Sequence, residues 1–185
     1  RHNEHSLRVV DRIESLNLTE PVRDGILRHT GPSTPASLEG RIVRVVDRIA
    51  YINHDIDDAL RAGVLGFEDL PSDEIALLGS TGSERIETLV VDLLDRSEEA
   101  GDIVQGEEVG GAMLRLREFM FERVYLAPDA QPDKPHIEGM LRALFDHYLE
   151  DPPPPLTADA SEEQRVVDWL AGMTDRFAIK AFVGL

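Results

Sequence analysis

The chain contains no cysteine. That absence removes disulfide staples, zinc-thiolate centres and thiol nucleophiles together, leaving oxygen and imidazole as the ligands a metal would find. Aromatic residues make up only 5% of the sequence, and β-branched residues rarely recur at period two, so little of it reads as sheet. Cations are scarce too: 19 Lys and Arg stand against 36 Asp and Glu, a formal charge of −17. Long-range repulsion of that size argues against duplex nucleic acid or an acidic membrane as the main partner. A small anion gripped by a few inward arginines remains compatible, because salt screens distant charge beyond roughly 10 Å. No apolar run approaches the ~18 residues of a membrane span, and the opening RHNEHSLRVV lacks the hydrophobic segment of a secretion signal, so a cytoplasmic address is expected. There is no Gly-rich phosphate loop and no internal repeat.

What the sequence does have is helical periodicity, in segments joined by short polar loops. Leu7, Val10, Ile13 and Leu16 form one stripe over residues 3 to 17. A second helix is expected over 20 to 29, with Thr19 as N-cap and Pro21 in its first turn, and GPSTPAS at 31 to 37 reads as a loop. Further helices are expected just after Ser72, over 83 to 98, from Met113 to Val124 and from Ile137 to Tyr148. Residues 101 to 111 read as loop or at most one turn, and Pro128, Pro132 and Pro135 bracket another turn. DPPPP at 151 to 155 is a polyproline spacer within the domain. Ser161 and Gln164 then form a capping box that opens a final helix running through Phe177. The 185 residues are enough for a single helical domain, an all-α globular bundle. The chain starts at Arg1 without Met, in mid-pattern, and is expected to be a piece of something longer.

One helix organises the rest. LEGRIVRVVDRIAYINHDIDDALRA, residues 38 to 62, is capped by Ser37 and stopped by Gly63. Leu38, Ile42, Val45, Val46, Ile49, Ile52, Ile56, Ala59 and Leu60 share a broad face expected to be core. The opposite sector carries Asp47, Tyr51, Asp55 and Asp58 at steps of about four, with Arg44 and Arg48 beside them and Val43 and Ala50 closing the far edge. Carboxylates and a tyrosine between two apolar borders are what the wall of a cleft would show, and a solvated face with ordinary Asp–Arg pairs is the plainer alternative.

The string DRIAYINHDIDDA, with SLEG before it and RAG after it, resembles the last signature of the HD-domain deoxynucleoside triphosphate triphosphohydrolases, the bacterial dGTPase-like family. RHNEHSLRVVDRIESLNLT with VRDGILRHTG resembles the family segment just after its metal-binding HD motif, and DWLAGMTDRFAI its C-terminal helix. The resemblance implies an all-helical HD-superfamily fold, a divalent metal (Mn, Mg, Fe or Co), a dNTP substrate and a homo-oligomer. It makes Asp47 the metal ligand of the central helix, Arg48 a phosphate contact, Tyr51 a platform for the deoxyribose, and Asp55 the acceptor of the 3′-hydroxyl. His2 matches a position that is His in some relatives, where it serves proton transfer near the leaving phosphate. Arg85 is weighed as a further nucleotide contact against a plain surface residue. The first His and the HD pair of the family's metal site are not among these residues, and the His54–Asp55 pair does not replace them, so the chain alone is expected to be inactive. His5 and His29 read as structural or surface residues, and His136 and His147, on the downstream helix, have no nearby acidic motif that suggests a metal.

The implied reaction turns a dNTP and water into a deoxynucleoside and inorganic triphosphate. Two rival readings are an HD-type phosphohydrolase acting on another phosphate ester and a non-catalytic helical scaffold.

Overall fold

The computed structural model describes residues 1–126 and 133–185, and every regular element among them is helical. The described residues fall into two compact units, one holding residues 1 to 11 and 16 to 126, the other 12 to 15 and 133 to 185. The expected Pro128 and Pro132 turn lies outside the described residues, and Pro135 sits in the first turn of a helix. No helix among the described residues is long and apolar enough to cross a membrane.

In the first unit, α1 (His2–Arg8) and α2 (Glu20–Arg28) precede α3 (Leu38–Arg61); α4 (Ser72–Leu78), α5 (Gly82–Ala100) and α6 (Glu107–Met120) follow. Ser37 Oγ accepts from the Gly40 N–H at 3.1 Å and starts α3, and Gly63, at φ 69°, ends it. Gly40 and Gly25 let α2 and α3 approach backbone to backbone; a Cβ on Gly40 would come within 2.7 Å of Pro35 Cβ. The core gathers Ile49, Ile52 and Ile56 of α3 against Leu78, Leu89, Met113 and Leu116 of the three following helices. Thr81 and Glu84 form a full capping box at the start of α5, a signal the spacing T-x-x-E carries and the hydrophobic pattern does not.

The core face of α3 is only half covered. Ile52 and Ile56 are completely buried, whereas Leu38 is 48% and Ile42 41% exposed, because α4, α5 and α6 lie against the later turns. The first helix is also shorter than its stripe. It passes through a π-helical turn, Val9–Ile13, and stops where Ser15 turns left-handed at φ 51° and the Leu16 N–H closes onto the Val10 carbonyl at 2.8 Å. In contrast α6 begins earlier than expected, at Glu107. The two glycines inside it cost about 1 kcal/mol each relative to Ala, and burial of Ala112, Met113, Leu116 and Met120 offsets that cost.

The second unit contains α7 (Lys134–Glu150), α8 (Glu162–Ala171) and α9 (Asp175–Val183). The proline run lies inside it, its Pro152 and Pro153 carbonyls held by the Arg165 guanidinium at 2.6 and 2.5 Å. The single final helix expected through Phe177 is two helices. Gly172 ends the first, and Thr174 Oγ1 accepts from the Phe177 N–H to cap the second. Only half of the expected capping box forms: Ser161 Oγ accepts from the Gln164 N–H, but the Gln164 side chain donates forward to Asp168 instead.

Candidate functional site

The polar sector of α3 faces α6 and the π-helical turn after it, Phe121–Tyr125. Arg117 Nε donates to the Tyr51 hydroxyl at 2.7 Å, and its guanidinium lies 4.5 Å from the centre of the Phe121 ring. Tyr125 donates its hydroxyl to Asp55 Oδ2 and meets Phe121 edge to face. Two stripes at helical spacing therefore interlock: Arg48, Tyr51 and Asp55 on α3, Arg117, Phe121 and Tyr125 across from them. The second stripe was missed in the sequence. Its signal was available as an arginine and two aromatics at successive intervals of four, but Phe119, Met120 and Val124 dominate the apolar pattern there.

The site's second border is therefore not Val43 and Ala50. Both are exposed, Val43 at 51%. Residues of α6 form the wall instead, because a helix face becomes a cleft only where another element stands opposite.

Its electrostatics favour an anion. Neither Arg48 nor Arg117 forms an ion pair with any described carboxylate, in a chain whose acidic residues outnumber its basic ones almost two to one. Burial lowers the Arg48 pKa from its ordinary value; Tyr51 and Asp47 oppose that shift, while Arg44 and Arg117 add to it. The guanidinium remains a cation at neutral pH, with less water around it. Burial and the Asp55 carboxylate together raise the Tyr125 phenol above its ordinary range, so this hydroxyl stays protonated and continues to donate. Asp47 lies one turn before Tyr51, exposed and without an ion pair to a described residue.

The remaining sequence candidates lie elsewhere in the first unit. His2 is exposed, with its Nε2 3.0 Å from His29 Nε2. His29 Nδ1 is 2.8 Å from the Ile26 carbonyl; with its proton there, His29 Nε2 accepts and His2 Nε2–H donates. Arg85 is not at the surface. It is fully buried, and its three nitrogens donate to Asn53 Oδ1, the Ser80 carbonyl and Asp57 Oδ1 at 2.8, 3.2 and 2.9 Å. Among the described residues no group of three or more His, Cys, Asp or Glu is placed to hold a metal ion.

The chain is similar to known proteins over most of its length. Residues 103–183 match a family model described as a phosphohydrolase-associated domain. A deoxyguanosinetriphosphate triphosphohydrolase-like protein of Caldanaerobacter subterraneus subsp. tengcongensis is 41% identical over 97% of this chain and 56% of its own length. One from Clostridium perfringens is 39% identical over 98% of this chain and 59% of its own, and one from Bordetella pertussis 30% identical over 97% and 62%. The chain thus spans a little over half the length of the relatives it matches. Its similarity runs through nearly all of its residues, α3 and α6 included, so over the part of them that it spans the chain is similar to deoxyguanosinetriphosphate triphosphohydrolase-like proteins.

Proposed function

We propose that the chain supplies the sugar- and phosphate-facing wall of an enzyme that hydrolyses a deoxynucleoside triphosphate to the deoxynucleoside and inorganic triphosphate. The observation that carries this reading is the pairing across the two stripes. A phenol hydroxyl already sits on Asp55 in the way a sugar hydroxyl would, and two arginines with no carboxylate partner among the described residues flank Tyr51. The names of the relatives, deoxyguanosinetriphosphate triphosphohydrolase-like, support the same substrate class.

The residues then divide the work. Arg48 and Arg117 offset the charge of the triphosphate as the bond to the nucleoside breaks. The Tyr51 ring gives the deoxyribose a flat apolar surface that leaves no room for a 2′-hydroxyl. Asp55 has a second oxygen free of Tyr125 and accepts from the 3′-hydroxyl. His2 keeps Nδ1 beyond its bond to His29, and its imidazolium form, which carries a proton on both ring nitrogens, is the proposed proton donor to the leaving group. Asp47 is the carboxylate this chain would lend to a divalent metal, which would supply Lewis-acid activation of a phosphoryl oxygen. One carboxylate does not make a cation site, so the residues described do not by themselves fit the metal.

The test uses the longest natural polypeptide that carries these residues, with Mn²⁺ and each of the four dNTPs, and detects inorganic triphosphate. Release that disappears in Asp47→Ala and falls strongly in Asp55→Ala is expected. Inorganic phosphate or pyrophosphate as first product, or turnover of other phosphate esters only, would replace the reaction proposed; no turnover of any of them would favour a scaffold.

A further inference from the structure

Among the described residues Arg85 is the largest side chain that is completely buried, yet it is a cation, and it bonds to Asn53, Ser80 and Asp57 rather than to the residues of the α3–α6 cleft. Burying a guanidinium costs free energy that its pairing recovers only in good geometry, and such groups are best attested where they fix a register. Its partners show which register. Nε holds Asn53 and Nη2 holds Asp57, two residues one turn apart on the same side of α3. Asn53 is locked in turn, its Nδ2 donating to the Ile49 carbonyl at 2.7 Å. Nη1 ties the group to the Ser80 carbonyl, just before α5, and Gly82 in the first turn of α5 leaves no room for a side chain against Asp57.

Asn53 is two residues from Tyr51 and two from Asp55, about 200° around the helix. The grip is therefore on the back of α3, and the polar stripe is on its front. A contact at a single point would let the helix roll; contacts at Asn53 and Asp57, directional and one turn apart, do not. The lever is long, because a tyrosine hydroxyl stands about 9 Å from the helix axis, so a roll of about 10° moves it by about 1.5 Å. Displacements of about 1 Å are enough to cost about 10²-fold in rate when they misplace reacting groups.

We propose that Arg85 is a positioning residue: by gripping Asn53 and Asp57 on the back of α3, it sets the rotation of that helix and so aims Tyr51 and Asp55 into the cleft. The functional half of this inference rests on the reading of that cleft as the nucleotide site. Its structural half does not. Arg85 itself touches no substrate; it acts through the helix it holds.

The experiment reads the front of α3 while changing the back. In the full 185-residue chain, Arg85→Met combined with Asn53→Leu replaces the polar grip by apolar groups of similar size, which preserves folding while abolishing direction. Arg85→Lys is the second variant, keeping the charge with one nitrogen where three are needed. Leu89→Ala, in the core of α5, is the control for lost stability alone. The readout, without nucleotide, is the Tyr125 hydroxyl proton, whose exchange is slowed by its bond to Asp55, with the ¹³Cζ shifts of the three tyrosines beside it. Exchange at Tyr125 is expected to rise on the order of tenfold in the double variant and in Arg85→Lys, and to remain near wild type in Leu89→Ala. In the longest natural polypeptide the same two variants lose kcat for triphosphate release by a larger factor than they change KM. An unchanged Tyr125 signal in either folded variant, or an equal change in Leu89→Ala, overturns the positioning role. If wild type releases no triphosphate while the Tyr125 signal still responds to Arg85, the hydrolase reading fails and the grip on α3 stands.

Discussion

Ile52 and Ile56, in the later half of α3, are both 0% exposed, while Leu38 and Ile42, in its first two turns, are 48% and 41% exposed. Both pairs belong to one apolar stripe with one period. The later half meets α4, α5 and α6, and its isoleucines pack against Leu78, Leu89 and Met113. The earlier half lies beside α2, where two glycines bring the backbones together and leave little side chain to cover anything. Periodicity fixes which way a residue points; what stands opposite decides whether it is buried.

The sharpest way to break the contrast is to cut the same side chain on both sides of it. Ile52→Ala is expected to destabilise by about 2–5 kcal/mol, and Ile42→Ala to stay within about 0.5 kcal/mol, in urea or thermal unfolding. Equal losses would mean that the earlier half is covered in solution.

The cover can be loosened instead of the helix. Glu74 on α4 and Arg115 on α6 join two of the covering elements at 2.5 Å, with Glu74 buried and Arg115 largely exposed. The hydrogen bond from Arg115 holds the Glu74 carboxyl below the usual carboxylate range, against the opposing effect of burial. A depressed folded-state pKa gives a contribution that is complete above the unfolded value of about 4.3 and is lost as pH falls through the lower folded value. Glu74→Gln should therefore cost about 1–2 kcal/mol near neutral pH, little of it Coulombic because Arg115 faces water, and should flatten the acid limb of a plot of Tm against pH. An acid limb of unchanged steepness would place the lost protons elsewhere.

The smallest effect compares two caps. Thr81 closes a full capping box on α5, whereas Thr19 precedes α2 without a side-chain bond. Thr81→Ala is expected to cost about 1 kcal/mol, and Thr19→Ala no more than a few tenths, by the same unfolding measurement.

The sequence was a good guide to whatever one helix decides alone. The all-helical class, the Ser37 start and Gly63 stop of α3, and the common face of Arg48, Tyr51 and Asp55 follow from spacing and local chemistry. What two helices decide together could not be read that way. Arg85 looks like a surface arginine because nothing near it in sequence announces Asn53 and Asp57, 32 and 28 residues earlier. Arg117 and Tyr125 likewise become partners of Tyr51 and Asp55 only across 66 and 70 residues of chain. The shortened first helix and the divided last one fail for another reason: apolar periodicity continues across a break, and the breaks are made by the backbone at Ser15 and Gly172 and by the side-chain cap of Thr174.

The proline run between α7 and α8 has a consequence of its own. Prolines carry no N–H and keep φ fixed, so the run can neither shorten into a helix nor join a sheet, and two of its carbonyls, those of Pro152 and Pro153, go to Arg165. A polyproline segment advances about 3.1 Å and turns about a third of a revolution per residue. To the extent that it holds that conformation, the run acts as a gauge block whose length and phase are cut in whole residues. Adding or deleting one proline would shift the start of α8 along and around at once, and Arg165 would meet the wrong carbonyls.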